Sequence, residues 1–377
     1  MRIRQITLCA AALVVGATTT LPAHAASVPA ATATTTRFQE IDLVADVAGR
    51  AARTDQKLVN PWGIAVGPRV WVSDADAGVA TVYSGGGTAG PVVKEPLTVA
   101  VPGGPTGQVF NSGPHFVVHG PKGSGPAAFV FATESGTIQG WNLKADPAHA
   151  VVAAKVRRAS FKGLALLQAR GGPFLLAADF FHGRIVVFDG RFHRVSLPHA
   201  FRDPSLPRGY APFNVAVVGG TVYVTYARQN AHHDEEVAGP GKGFVSRFTA
   251  SGAFRGRLAA RGPLNAPWAV TAAPASFGTF AGALLVGNFG DGTINAFTRN
   301  GRFLGPLRTP EGKPIRIDGL WGLAPGTAAN GGANALWFAA GTDDEKHGLL
   351  GLIRPTPRKP GTGGDDGGHI TYPPPRY

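Results

Sequence analysis

Between positions 60 and 353 the apolar residues come in short runs of strand length, each broken by a polar turn and a glycine, and the unit recurs six times. The runs are Val70-Trp-Val72, Phe129-Val-Phe131, Phe174-Leu-Leu176, Val222-Tyr-Val224, Leu284-Leu-Val286 and Leu336-Trp-Phe338. Gly78, Gly136, Gly183, Gly243, Gly292 and Gly348 follow them, each with an aromatic or apolar residue five positions on, from Tyr83 to Ile353. β-Branched and aromatic runs bounded by turn residues predict strands. The glycines suit hairpin positions that need φ > 0.

A second short strand precedes each hairpin and opens on a recurring position: Pro61-Trp-Gly63, Pro105-Thr-Gly107, Lys162-Gly163, Pro212-Phe-Asn214, Pro267-Trp-Ala269 and Leu320-Trp-Gly322. Small residues there suit a crowded axis where the innermost strands of all units approach one another. The hairpin glycines lie 47 to 60 residues apart. A period near 50 with about four short strands per unit predicts an all-β fold, a six-bladed β-propeller. Blade one would take an outer strand from Pro96 to Val101. The last unit stops at Ile353, so its outer strand is expected from Phe38 to Val44, closing the ring and removing exposed edges.

The ends read differently. Met1-Arg-Ile-Arg4, an apolar stretch from Ile6 to Ala17 and Leu21-Pro-Ala-His-Ala25 form the pattern of a signal peptide cleaved after Ala25. The expected organisation is therefore leader 1–25, a flexible Ala/Thr-rich segment 26–37, the propeller 38–353 and a disordered Pro/Gly-rich tail 354–377. Cys9, the one cysteine, falls in the leader, so the mature chain would hold no disulfide and rely on packing. The expected location is extracellular, after export from a bacterial cell.

Formal charge is +13, or +11 without Arg2 and Arg4. The basic residues are scattered, with no basic helix or aromatic–basic strand, so a nucleic-acid partner is not expected. Weak attraction to anionic cell-wall polymers fits the charge, and a monomer is expected.

Propeller geometry gathers the residues that open the inner strands, and the hairpin turns, on one face. Two turns are enlarged, between Tyr226 and Gly243 and between Ala340 and Gly348. They carry His232, His233, Asp234, Asp343, Asp344 and His347, a residue set that suits a metal if the six meet; solvated loop tips are the plainer reading. The shorter turns offer Asp74, Glu134, Asp179 and Asp291. Asp readily caps a turn through its own hydrogen bonds, which leaves Glu134 as the candidate for chemistry. Asn60, Asn214 and Asn265 stand near the inner-strand openings with Trp62, Trp268 and Trp321. The tryptophans are either a ligand platform or core between blades. No Gly-x-Ser-x-Gly elbow, P-loop or dinucleotide fingerprint is present.

Longer motifs carry a resemblance. Asn60-Pro-Trp-Gly63, Phe131-Ala-Thr-Glu134 with Gly136-Thr-Ile138, and Tyr210-Ala-Pro-Phe-Asn214 are similar to an uncharacterised family of secreted bacterial propellers. So are His233-Asp234 with Val237-Ala-Gly-Pro-Gly241, Leu285-Val-Gly-Asn-Phe-Gly-Asp-Gly-Thr-Ile-Asn295 and Ile317-Asp-Gly-Leu-Trp-Gly322. The likeness runs from Leu43 to Ile353 and implies the fold, without an assigned activity. More distantly the repeat resembles NHL-type and gluconolactonase-like propellers. That implies a divalent cation, Ca²⁺, in a cage of asparagines and an acid, where the metal polarises a lactone carbonyl. The Glu usual on the first inner strand of such enzymes is absent, and Pro61-Trp62 takes its place.

Three functions follow as expectations. The first is a binding module for a small molecule, glycan or protein on the decorated face, through Asn60, Trp62, Glu134, Asn214, Trp268 and Trp321. The second is a metal-dependent hydrolase or lactonase on that face, and the third a structural cell-envelope protein. Whether the chain is an enzyme is left open by these residues.

Overall fold

In the computed structural model, residues 36–87 and 90–356 of the 377 are described. The expected leader 1–25 with Cys9, nearly all of segment 26–37 and tail residues 357–377 lie outside them. The described chain is built from strands, with one short 3-10 turn at Gly278–Phe280. It forms a six-bladed β-propeller, as the repeat predicts.

Blade one runs Pro61–Val66, Val70–Asp74, Val79–Ser84 and Val93–Ala100 from the axis outward. Blades two to five repeat this antiparallel meander, beginning at Pro105, Phe161, Tyr210 and Pro267. Blade two carries an extra hairpin, Val117–Gly120 with Gly123–Pro126, between its first two strands. Blade six runs Leu320–Pro325, Leu336–Thr342 and His347–Pro355, and its outer strand is Phe38–Ala45. That strand pairs antiparallel with the last strand of blade six, Phe38 opposite Pro355 and Ala45 opposite Leu349. The N-terminal closure is thus as expected, with a short fifth strand, Arg53–Thr54, alongside.

Gly78, Gly136, Gly183 and Gly292 sit in their turns at φ between 61° and 75°, where a side chain would be strained. Gly243 and Gly348 do not adopt positive φ. They are small for another reason: a Cβ would strike Pro267 at the first and the Leu58 carbonyl at the second. At the axis, added Cβ atoms on Gly63, Gly107, Gly163 and Gly322 would each collide with the neighbouring blade, which accounts for the small residues in the inner strands.

Buried apolar side chains form one cluster in each of the six seams between blades. A seventh lies on the axis. One residue near the start of every inner strand points there: Trp62, Thr106, Lys162, Trp268 and Trp321 in second place and Phe213, after Pro212, in fourth, all buried. Trp62 stacks on Trp321 at 3.4 Å between ring centroids, Phe289 stacks on Trp321 at 4.0 Å, and Trp268 meets both tryptophans edge-on. This plug closes the channel. Beyond it the inner strands line a cavity of about 400 Å³.

Candidate functional site

Above the plug lies a cluster of charged side chains built around Lys162. Five of the six inner-strand openings place an aromatic ring or a threonine at this position; blade three places a lysine. Its side chain is 1% exposed. The Trp268 indole donates to the Lys162 carbonyl at 2.8 Å, and the ammonium lies 5.2 Å from the Trp62 ring centroid. Nζ donates to Glu134 Oε1 at 2.5 Å and to Glu235 Oε2 at 3.2 Å. Burial pushes the lysine pKa down, and Glu134, Glu235 and Glu236 more than reverse this, holding it above the usual lysine range. A lysine so held is a fixed cation and not a nucleophile.

Asn60 is the second organiser. It adopts φ 46°, a conformation Asn tolerates better than most residues. Its Oδ1 accepts the indole N–H groups of Trp62 and Trp321, both at 3.0 Å. Because indoles only donate, the amide orientation is fixed, and Nδ2 faces outward to Glu345 at 2.7 Å and Asp76 at 3.3 Å. Glu345 reaches it from a turn in which Asp343, Asp344 and Glu345 have φ of 57°, 52° and 65°. Three successive left-handed residues cost roughly 1–2 kcal/mol each, and the strain serves to turn Glu345 inward.

Asp76, Glu134, Glu235, Glu236 and Glu345 therefore share the mouth with one buried ammonium. Lys162 pairs with Glu134 and Glu235. Asp76, Glu236 and Glu345 form no ion pair among the described residues. Burial pushes Glu236 up to about 7, with Lys162 opposing, and its Oε2 is buried without a hydrogen-bond partner among the described residues. Burial also raises Glu345, against the Asn60 and Lys162 contributions that lower it. Glu235 and Asp76 are raised too, although the Glu235 side chain is 59% exposed and solvent screens it accordingly.

The expected site residues fall in several places. Asn60 and Glu134 are in the mouth. Trp62, Trp268 and Trp321 are at most 5% exposed and form the plug, so they offer no open platform. Asn214 lines the cavity on the far side of the plug, donating to the Trp268 carbonyl. The six residues considered for a metal are not brought together. His232, His233 and Asp234 are exposed, with Asp234 accepting from Asn230 and His233 edge-on to Phe181. His347 binds Asp46 through Nδ1 at 2.8 Å, with Asp343 4.0 Å from its Nε2, and Asp344 faces Lys346. The two enlarged turns do converge, but through Glu235, Glu236 and Glu345.

Among the described residues no three His, Cys, Asp or Glu side chains come together as a metal site. An asparagine cage does not form either. The Asn60 oxygen is taken by two indoles, that of Asn214 by the Val215 amide and that of Asn265 by the Gly239 amide. The residues do not fit a caged Ca²⁺. Three short-turn acids are structural: Asp74 accepts the Thr81 amide, Asp179 holds His182 and Arg184, and Asp291 caps Thr293.

No family model matches the chain. Uncharacterized protein R648 of Acanthamoeba polyphaga mimivirus is 35% identical over 322 residues, covering 82% of this chain and 78% of that protein. Uncharacterized protein L690 of the same virus is 33% identical over 318 residues, covering 80% and 82%. These relatives are viral, where the motifs pointed to bacterial proteins. A structural genomics protein of unknown function from Bacteroides thetaiotaomicron is similar in structure, with a TM-score of 0.50, 12% identity and coverage of 85% of this chain and 74% of that one. A streptogramin B lyase gives 0.47 at 12% identity over 86% and 99%. A gluconolactonase from Xanthomonas campestris gives 0.34 at 15% identity over 60% and 82%. Identities this low speak to the fold.

Proposed function

The chain belongs to one family with the mimivirus proteins R648 and L690, and we propose that it is a binding module whose mouth holds an organic cation. The observation that carries this reading is the surplus of carboxylates. Five share the mouth with one lysine, which pairs with two of them, in a chain whose formal charge is +13. Apposed carboxylates repel, and a ligand ammonium relieves that repulsion in a partly dehydrated setting where charge interactions are stronger than in water.

A small hard cation needs oxygens converging on one point. These carboxylates are spread over the mouth in two groups, on Lys162 and on Asn60, which suits an extended ligand with separated ammonium groups. The reading includes export by the 1–25 leader, action as a monomer, no nucleic-acid partner and loose attraction to anionic wall polymers.

Isothermal titration with spermidine at low salt tests it. Binding is expected in the unaltered chain, at least tenfold weaker in Glu235→Gln/Glu345→Gln and unchanged in Asp291→Asn. No heat from the unaltered chain, or equal affinity in the double variant, overturns it.

Glu236 favours a second reading, acid–base hydrolysis on this face without a metal, because a carboxyl with a pKa near 7 can carry a proton to a leaving group at neutral pH. Turnover of a lactone or ester that is lost in Glu236→Gln and persists in EDTA would favour it. Inactivity across such a panel would leave the binding module.

A further inference from the structure

The seam between blades three and four opens into a second cleft of about 310 Å³, at the lower end of the range for small-molecule sites, roughly 300–1,000 Å³. The connection from blade three to blade four folds over it. Phe201 adopts φ 55°, unusual for a bulky residue, and is buried 5.9 Å from the Phe248 ring. This draws the connection down and leaves Pro204, Pro207 and Tyr210 as flat apolar walls, with Tyr226 between the blades.

The unpaired charged groups of the cleft have one sign; Arg184, which also lines it, is held by Asp179. Arg202 and Arg208 line it and make no ion pair or side-chain hydrogen bond among the described residues. Asp203, the one acid in the lining, is fully engaged. It accepts from Arg257 at 2.7 and 3.2 Å, from Ser246 at 2.7 Å, and from the Ser205 amide and hydroxyl. No free carboxylate competes for the two guanidinium groups. The Tyr226 hydroxyl is buried and has no hydrogen-bond partner among the described residues, while Ser246 sends its own hydroxyl to Asp203.

We propose that this cleft binds a small aromatic carboxylate, its ring against the proline and tyrosine walls and its carboxyl group on Arg202 and Arg208. Guanidinium groups suit this task because their planar N–H pairs match a carboxylate. Both free charges in the lining are positive, which selects an acid over a neutral ring. The site is separate from the acidic mouth and does not depend on that reading.

Ligand-observed NMR on the full chain with benzoate, benzamide and sulfate as probes tests the proposal. Benzoate is expected to bind, benzamide at least tenfold more weakly, and sulfate to displace benzoate poorly. Arg202→Gln/Arg208→Gln, exposed positions where the fold is expected to survive, should lose benzoate at least tenfold. Glu345→Gln should keep it, which separates this cleft from the mouth. Equal binding of benzamide, displacement of benzoate by equimolar sulfate, full binding by the double variant or no benzoate binding at millimolar concentration would each overturn it.

Discussion

Glu345 and Asn60 stand 285 positions apart in the chain and meet through a 2.7 Å hydrogen bond from the asparagine amide to the carboxylate. One belongs to the last blade's turn and the other opens the first blade's inner strand, so the bond spans the seam where the ring closes. It also ties the acidic mouth to the plug, since the same amide accepts Trp62 and Trp321 from below.

Asn60→Asp isolates that amide. Aspartate tolerates the same backbone conformation but, ionised, cannot donate to Glu345 or Asp76 and adds a third negative charge between them. Two hydrogen bonds to charged acceptors are lost, and with repulsion the cost is about 3 kcal/mol at neutral pH. Urea unfolding should show that deficit shrinking below about pH 5 as carboxyl groups take up protons. A deficit independent of pH would assign the effect to shape alone.

Lys162→Met removes the ammonium while keeping a flexible apolar chain over Trp62. Breaking a fully buried pair costs about 3–5 kcal/mol. Here Glu134 and Glu235 are 36% and 59% exposed and recover water, so about 1–2 kcal/mol is expected. Faster hydrogen exchange across 229–242 should accompany it, because Glu235 loses its anchor. With a negative mouth left behind, spermidine should bind severalfold more tightly.

Glu236 gives the stability a pH dependence of definite sign. Its folded pKa, about 7, lies above the ordinary value of 4.5, so the native state holds a proton that the unfolded chain has released. Stability from this group is full below 4.5 and declines as pH rises toward 7, by at most about 3 kcal/mol. Glu236→Gln, which mimics the protonated form, should flatten that decline. Chemical unfolding at pH 4.5, 6 and 8 reads the difference, and parallel curves for the two proteins would refute it.

Trp321 is fully buried, stacked between Trp62 and Phe289. Trp321→Ala should cost about 3–5 kcal/mol and Trp321→Phe less, with loss of the bond to Asn60. Calorimetry gives the ranking; an alanine variant as stable as the phenylalanine variant would mean that the plug is loosely packed.

The repeat made the blades readable. Strand runs, spacing and the closure by Phe38–Ala45 follow from local pattern and from the need to cover sheet edges. Lys162 was legible in principle, as the one charged residue among Trp62, Thr106, Phe213, Trp268 and Trp321 at equivalent positions. Glu345 was not. Its inward aim depends on three left-handed residues that composition does not announce; nearby, the Asp343 backbone amide donates to Asp318 and the His347 ring is held by Asp46. Gly243 and Gly348 share this limit: their smallness answers to a neighbouring blade, a contact distant in sequence.

Closure by the N-terminal strand also sets an order of events. Phe38–Ala45 is made first, yet its partner His347–Pro355 is made last, so the strand must wait unpaired while five further blades emerge. An idle strand with open edges invites aggregation. Gln39, Glu40 and Asp42 interrupt its apolar residues, the kind of gatekeeping that keeps a nascent segment dispersed until its partner arrives. Ring closure in this molecule therefore waits on the docking of its oldest strand.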